Sequence, residues 1–169
     1  GFSTGLTYCP GIYSDTHELI EISRAVQPYG GIYITHCRYS LGDQLLDPFR
    51  EALSVGKKAN IPVQISHFHN PIDGMGERML ALIDEAHTSD IDVTFDQYPY
   101  PAASTLLLSL IPSWVHAGGP LSLLKRLRSR SIREEIKDDI IPQWGGKDFE
   151  SYIFSRVDSA KNNGWEGKS

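Results

Sequence analysis

Cysteine is scarce in this chain of 169 residues, which holds only Cys9 and Cys37. Two cysteines are too few for a disulfide-dense scaffold. Basic charge is short as well: 16 Lys and Arg stand against 21 Asp and Glu, a formal net charge of −5. That balance argues against a dedicated nucleic-acid binder, which works through a basic field. No apolar run approaches the roughly 18 residues of a membrane span, so no membrane partner is expected. The opening Gly1-Phe2-Ser3 carries neither an initiating Met nor a signal-peptide pattern. A cytoplasmic location is expected, and so is a chain whose start has been removed or that is an interior piece of something longer. What is present is ordinary: 40% hydrophobic and 22% charged residues can build a sizeable core and speak against disorder.

A repeat organises the first two thirds. Three β-branched apolar runs recur at Gly31-Ile32-Tyr33-Ile34-Thr35, Ile61-Pro62-Val63-Gln64-Ile65-Ser66 and Ile91-Asp92-Val93-Thr94-Phe95. Each reads as a strand of about five or six residues. Each ends at a polar or ionisable group, and these groups, His36, His67 and Asp96, fall 31 and 29 residues apart. That period suits one strand, one helix and two loops. The gaps supply the helices. Asp15 with Glu18 resembles a capping box, followed by an apolar stripe of Leu19, Ile20, Ile22 and Val26. Leu45, Leu46, Phe49, Ala52 and Leu53 form the next stripe, with Pro48 placed where only an opening turn accepts it. Met79, Leu80, Leu82, Ile83 and Ala86 form the third. Alternating helix and strand predicts an α/β fold with a parallel sheet and right-handed crossovers. A fourth strand is expected near the start.

The tail differs. Residues 99–119 show no clean period. Residues 120–141 predict one charged amphipathic helix, with Leu123, Leu124, Leu127, Ile132, Ile136 and Ile140 near one side. Its mixed Lys, Arg, Asp and Glu read as a solvated face rather than a nucleic-acid surface. Beyond Pro142 the aromatics Trp144, Phe149, Tyr152, Phe154 and Trp165 give weak signals, and residues 162–167 look like turn or linker. The division expected is 1–119 and 120–169.

In parallel α/β architectures, functional groups sit at the C-terminal ends of strands. His36 and His67 occupy that place on successive strands, and neighbouring strands lie about 4.8 Å apart. Two such imidazoles could converge on one metal ion, zinc accepting each neutral nitrogen at about 2.0–2.1 Å. Each could equally serve as a hydrogen-bonding strand-end residue, and spacing leaves both readings open. Cys37, next to His36, should point to the opposite strand face as a buried small residue. Cys9 also reads as structural.

Four motifs in order carry a family resemblance: Gly1-Phe2-Ser3-Thr4-Gly5-Leu6-Thr7-Tyr8-Cys9-Pro10-Gly11, Tyr29-Gly30-Gly31-Ile32-Tyr33-Ile34-Thr35-His36-Cys37-Arg38, Pro62-Val63-Gln64-Ile65-Ser66-His67, and Asp96-Gln97-Tyr98-Pro99-Tyr100 followed by Ala103-Ser104-Thr105. Together, over residues 1 to about 119, they resemble the D-aminoacylase (N-acyl-D-amino-acid deacylase) branch of the amidohydrolase superfamily. The resemblance implies a metal-dependent (β/α)₈ barrel, zinc or another divalent metal as cofactor, and hydrolysis of the amide of an N-acyl-D-amino acid. It implies His36 and His67 as metal ligands, and Tyr8, Tyr98 and Ser104 as residues lining the substrate. Arg38 has two readings, a substrate-site role or a structural ion pair.

Departures from the pattern matter too. Where the family usually carries Lys, two residues after the second-strand Ser-His, this chain has His69, which implies an altered contact to the substrate carboxylate. Asp96 matches the Asp before Tyr-Pro-Tyr rather than the family's catalytic aspartate, and its readings are a direct chemical role or a hydrogen-bonding one. The family's His-x-His pair and Cys ligand would lie before Gly1, and its catalytic aspartate after Ser169. The isolated chain is therefore expected to be inactive, since two imidazoles alone make a poor zinc site and a metal-bound water needs its base.

A complete barrel takes about 250 residues and eight strands, so the expectation is a partial barrel followed by a helical segment. Such a piece would leave open sheet edges and an uncovered apolar inner face, covered by residues 100–169 or by self-association. The alternatives are a non-catalytic α/β module kept for binding or assembly, and a dihydroorotase-like hydrolase of cyclic amides.

Overall fold

A computed structural model describes residues 1–41, 45–70, 72–143 and 152–169, with the backbone alone at 141–143. The expectations for Trp144 and Phe149 lie outside the described residues. The chain divides into two compact units, Gly1–Ser109 and Leu110–Ser169.

In the first unit, four strands form one parallel sheet: β1 (Phe2–Gly5), β2 (Tyr33–His36), β3 (Val63–Ile65) and β4 (Val93–Phe95), adjacent in that order. The helices α1 (Thr16–Val26), α2 (Asp47–Ala59) and α3 (Met75–Thr88) alternate with them. The sequence expectation of alternating helix and parallel strand holds, and the strand near the start is present. The four strands are half of what a closed eight-stranded barrel requires.

The ladder is in register throughout, Phe2 pairing with Tyr33, Tyr33 with Val63 and Val63 with Val93. It opens the same way at each step. Phe2 donates to the Ile32 carbonyl at 2.9 Å, Tyr33 to Pro62 at 2.9 Å and Val63 to Asp92 at 2.8 Å. Pro62 is asked only for its carbonyl, so its missing N–H costs the sheet nothing there.

Alternation along the strands splits the sheet into two unlike faces. Tyr33, Thr35, Val63, Ile65 and Val93 are buried and join a core with Leu19, Phe49, Leu53, Val55, Met75, Met79 and Ile83 from the helices. Full burial of each large apolar side chain contributes about 1.5–3 kcal/mol. The alternate positions are Ser3, Gly5, Ile34, His36, Gln64, Ser66, Thr94 and Asp96, none of them buried. The expected uncovered apolar face is therefore corrected: the open face is mostly polar, and the Thr94 hydroxyl donates across it to the Gln64 amide oxygen.

The helix starts follow local chemistry. The Asp15 carboxylate accepts the Glu18 N–H at 2.8 Å, capping α1. Pro48 sits in the first turn of α2, where a missing N–H is harmless. Two stripe residues behave otherwise than their spacing predicts: Ile22 and Leu80 are exposed at the margins of their helices' buried faces.

Two features lock α2 in place. Gly56 faces β3, and a Cβ there would collide with the buried Val63 side chain and meet the Ile61 carbonyl at 3.2 Å. Glu51 is buried, and its carboxylate accepts from Arg38 Nε at 3.1 and 3.3 Å and from Thr16 Oγ1 at 2.7 Å. Arg38 Nη1 also donates to the Ile12 carbonyl at 2.9 Å. One carboxylate thus ties α2 to the first turn of α1 and to the loop after β2.

The second unit carries α4 (Ser113–His116), α5 (Gly119–Arg128) and α6 (Arg130–Gln143). Val115, Leu123 and Ile136 form its buried cluster, with Ile111, Trp114, Leu127, Ile132 and Ile140 against it. The single helix expected over 120–141 is instead two. Ser129 adopts extended angles (φ −78°, ψ 124°) and ends α5, while its carbonyl accepts the Arg133 N–H at 3.1 Å and opens α6. Serine favours such a junction because it is a good N-cap residue. Leu124, expected on the apolar side, is exposed. Trp114 Nε1 donates to Asp139 at 2.6 Å, joining α4 to α6. Among the described residues no helix is long and apolar enough to cross a membrane.

Two stability predictions follow from the contacts of α2. Gly56→Ala gains about 1 kcal/mol of helix propensity but overpacks a filled site at about 1–3 kcal/mol, so the unfolding midpoint in urea should fall. Glu51→Ala strands the Arg38 guanidinium and should cost about 3–5 kcal/mol. An Arg38→Met/Glu51→Leu double variant, measured the same way, should recover part of that loss.

Candidate metal and substrate site

All four strands deliver a side chain from their C-terminal ends to one cluster. Tyr8 follows β1, His36 ends β2, His67 and His69 follow β3, and Tyr98 follows β4. The two histidines of the repeat meet: His36 Nδ1 lies 2.7 Å from His67 Nε2, with ring centroids 4.5 Å apart. Tyr8 packs on His36 with centroids 4.9 Å apart. Its hydroxyl lies 3.2 Å from the Thr105 hydroxyl. His69 Nδ1 donates to the His67 carbonyl at 2.9 Å, which leaves its Nε2 to accept from the Tyr98 hydroxyl at 3.1 Å.

Arg38 is held in the buried ion pair with Glu51. Ser104 is exposed, and it is its neighbour Thr105 that reaches Tyr8. Cys37 is buried, and burial with the nearby Glu51 charge pushes its thiol up to about 12. It stays an uncharged thiol, as the opposite-face reading requires. Cys9 is exposed.

His67 does not reach His36 by simple strand geometry. The register that pairs Ile65 with Thr35 and Phe95 sets Ser66 level with His36 and Asp96, so a straight strand would send residue 67 to the helix-covered face. Instead His67 has φ +41°, a left-handed conformation that costs an L-residue roughly 1–2 kcal/mol. Its N–H donates to Asp96 Oδ1 at 2.7 Å, and the Asp96 carbonyl takes the Phe68 N–H at 2.7 Å. Of the two readings of Asp96, the structure shows the hydrogen-bonding one.

Tyr39 escaped the sequence reading. Its hydroxyl donates to the His67 carbonyl at 3.4 Å and lies 3.3 Å from His67 Nδ1, and its ring meets His36 edge-on at 5.3 Å. Its only sequence signal is a place three residues after His36 in a strand-end loop, and the turn that aims it, Tyr39 N–H to the Cys37 carbonyl, leaves no pattern of its own.

These electrostatics favour neutral imidazoles, the form that binds metals. Burial lowers His36 to about 4, with His67 pressing the same way. Burial also lowers His67. His36 Nε2 is buried with no hydrogen-bond partner among the described residues, so it is Nδ1, the nitrogen that faces His67 Nε2, that is placed to share a metal with His67. With Tyr39 behind His67 Nδ1, Nε2 is left to face His36, an outer-shell arrangement familiar from metal-bound histidines. The donor set therefore fits two positions of a divalent metal. No group of three or more His, Cys, Asp or Glu arranged for a metal occurs among the described residues, so the cluster provides part of a coordination sphere.

No protein-family model matches the sequence. Among curated proteins, the chain is 38% identical over 110 residues to a D-aminoacylase of Alcaligenes xylosoxydans xylosoxydans and 35% identical over 111 residues to an N-acyl-D-glutamate deacylase of the same organism. These stretches are 63% and 64% of this chain but 22% of each relative. Among solved structures, a D-aminoacylase described as defining a novel subset of amidohydrolases matches with a TM-score of 0.54 and 37% identity, over 59% of this chain and 21% of that one. The N-acyl-D-glutamate deacylase of Bordetella bronchiseptica, complexed with zinc and a phosphonate inhibitor, matches with a TM-score of 0.59 and 32% identity, over 63% of this chain and 23% of that one. A D-aminoacylase studied for its binuclear metal center matches with a TM-score of 0.58 and 30% identity, over 82% of this chain and 32% of that one. Sequence and structure thus agree that this chain is similar to one section of the D-aminoacylase and N-acyl-D-glutamate deacylase amidohydrolases, spanning 22% of the curated relatives' length.

Proposed function

We propose that this chain is a section of a metal-dependent amidohydrolase that cleaves the amide bond of N-acyl-D-amino acids. The observation that carries the reading is the convergence to 2.7 Å of His36, the last residue of β2, and His67, in the turn that follows β3. The names of the relatives support the substrate class, and the zinc and binuclear centres of the solved relatives support the metal. In this role His36 and His67 supply two imidazole ligands. A bound divalent metal polarises the scissile carbonyl and lowers the pKa of water. The chain's other residues bind and orient. Tyr8 backs the His36 ring, Tyr39 holds His67, and the His67 carbonyl and the Tyr98 hydroxyl together orient the His69 ring. Tyr8, His69 and Tyr98 are proposed to line the bound N-acyl amino acid, with Ser104 and Arg38 at the periphery. The remaining ligands and the general base are assigned to other parts of the parent protein.

Metal binding tests the assignment. Loss of an outer-shell partner typically costs about 10–100-fold in metal affinity. Tyr39→Phe should fall in that range by zinc–chelator competition, and His36→Ala or His67→Ala should lose more. The parent protein should hydrolyse N-acyl-D-amino acids in preference to the L-forms, and both alanine variants should abolish that turnover. Unchanged metal content in both would overturn the proposal.

A further inference from the structure

We propose that Asp96 is the positioning residue of this site, holding the left-handed turn at His67 that swings its imidazole onto His36. The assignment rests on the metal-site reading only for its consequence, since the contacts themselves are metal-free. Three non-glycine residues among those described have positive φ, Asn60, His67 and Asp90. Asn60 caps α2 at its C-terminal end, and Asp90 lies in the turn between α3 and β4, donating to the His87 carbonyl at 3.1 Å. His67 has neither a helix end nor a residue type chosen for turns to explain it. What it has is Asp96.

Two consecutive N–H groups are redirected by that one residue. In a continued ladder, strand β3 would run on beside β4 and residue 67 would face the helices. Instead the His67 N–H is taken by the Asp96 side chain and the Phe68 N–H by the Asp96 main chain, both at 2.7 Å. Phe68 then enters the core in place of His67, 5% exposed and packed edge-on against Phe49 at 4.9 Å. The swap puts the apolar ring on the covered face and the imidazole on the open one. The carboxylate is itself braced, because Gln64 Nε2 donates to Asp96 Oδ2 at 3.1 Å while the Gln64 oxygen accepts from Thr94. The line Thr94–Gln64–Asp96 on the open face thus ends on the backbone of a proposed ligand. A carboxylate is suited to this task because a charge-assisted bond to a backbone N–H is stronger than a neutral one.

The experiment is NMR on the full 169-residue chain without metal, with zinc added in a second arm. The wild type should show an NOE between the His36 and His67 rings and a downfield His67 amide proton. Asp96→Asn keeps an acceptor oxygen and should keep the NOE. Asp96→Ala should lose it while the Phe49–Phe68 ring NOE, a marker of the intact core, persists. Should Asp96→Ala not fold, Asp96→Glu displaces the carboxylate by one methylene and should weaken the inter-ring NOE and shift the His67 amide upfield. An inter-ring NOE of full strength in the folded Ala variant, or in the Glu variant where Ala does not fold, overturns the proposal. In the zinc arm, affinity at His36 and His67 should drop at least 10-fold in the variant that loses the NOE and be kept in Asp96→Asn. A wild type that shows the NOE but binds no zinc through these rings would overturn the metal reading and leave the positioning role standing.

Discussion

The in-register parallel ladder is the constraint from which the rest of the first unit follows. Because Phe2, Tyr33, Val63 and Val93 share one level, every strand starts at the same height and every alternate side chain lies on the same face. One face is apolar and is sealed by α1, α2 and α3. The other carries Gln64, Thr94 and Asp96 and is open. A slip of one residue in any strand would exchange the faces. Val63 and Ile65 would then go to the open side and Gln64 to the core, where its amide would be unpaired. The burial of the aliphatic set therefore fixes the height at which the site residues emerge.

Register alone does not build the site, and His67 shows why. The ladder sets the level, but it offers residue 67 the wrong face. The left-handed turn resolves the conflict by exchanging two neighbours, so that Phe68 takes the core place and His67 the open one. Strain at a residue of this kind persists only where the surroundings over-determine it. Here they do: two hydrogen bonds to Asp96, the Phe68 contact with Phe49, and the Tyr39 hydroxyl on the His67 carbonyl all act on His67 and Phe68. The electrostatics agree with the geometry. Burial disfavours the charged form of both imidazoles, so the rings can approach without the repulsion of two cations.

The parts legible in the sequence are those that repeat or act locally. The period near 30 residues placed the strands and their ends, the Asp15–Glu18 pair marked the cap of α1, and Pro48 marked the first turn of α2. Both repeat histidines were visible because each closes a β-branched run. What stayed hidden depends on contacts across the fold. Nothing near Glu51 says that its carboxylate will meet Arg38 and Thr16, and nothing near Gly56 says that β3 will lie too close for a Cβ. Tyr39 and Thr105 reach the site through loop geometry that has no period. The break at Ser129 leaves no mark in the sequence because charge and hydropathy continue across it, and only the backbone reveals the second start. The left-handed turn at His67 was hidden for a different reason: its cause, Asp96, is 29 residues away.

His36 is held from both directions along the chain. Before it, Tyr33 to Thr35 are fixed by the ladder on both sides. After it, Cys37 is buried in the core and Arg38 is bound to Glu51 and to the Ile12 carbonyl. The backbone of His36 is therefore fixed by its own strand, whereas the place of His67 depends on a turn held from outside its strand, by Asp96, by Tyr39 and by the seating of Phe68 against Phe49. This asymmetry assigns unequal roles in the proposed site. His36 is the fixed donor that the fold delivers, and His67 is the donor whose placement is set by a neighbouring strand. The Arg38–Glu51 pair then contributes to the site through stiffness, since the same carboxylate that joins α1 to α2 also anchors the residue two places beyond the fixed imidazole.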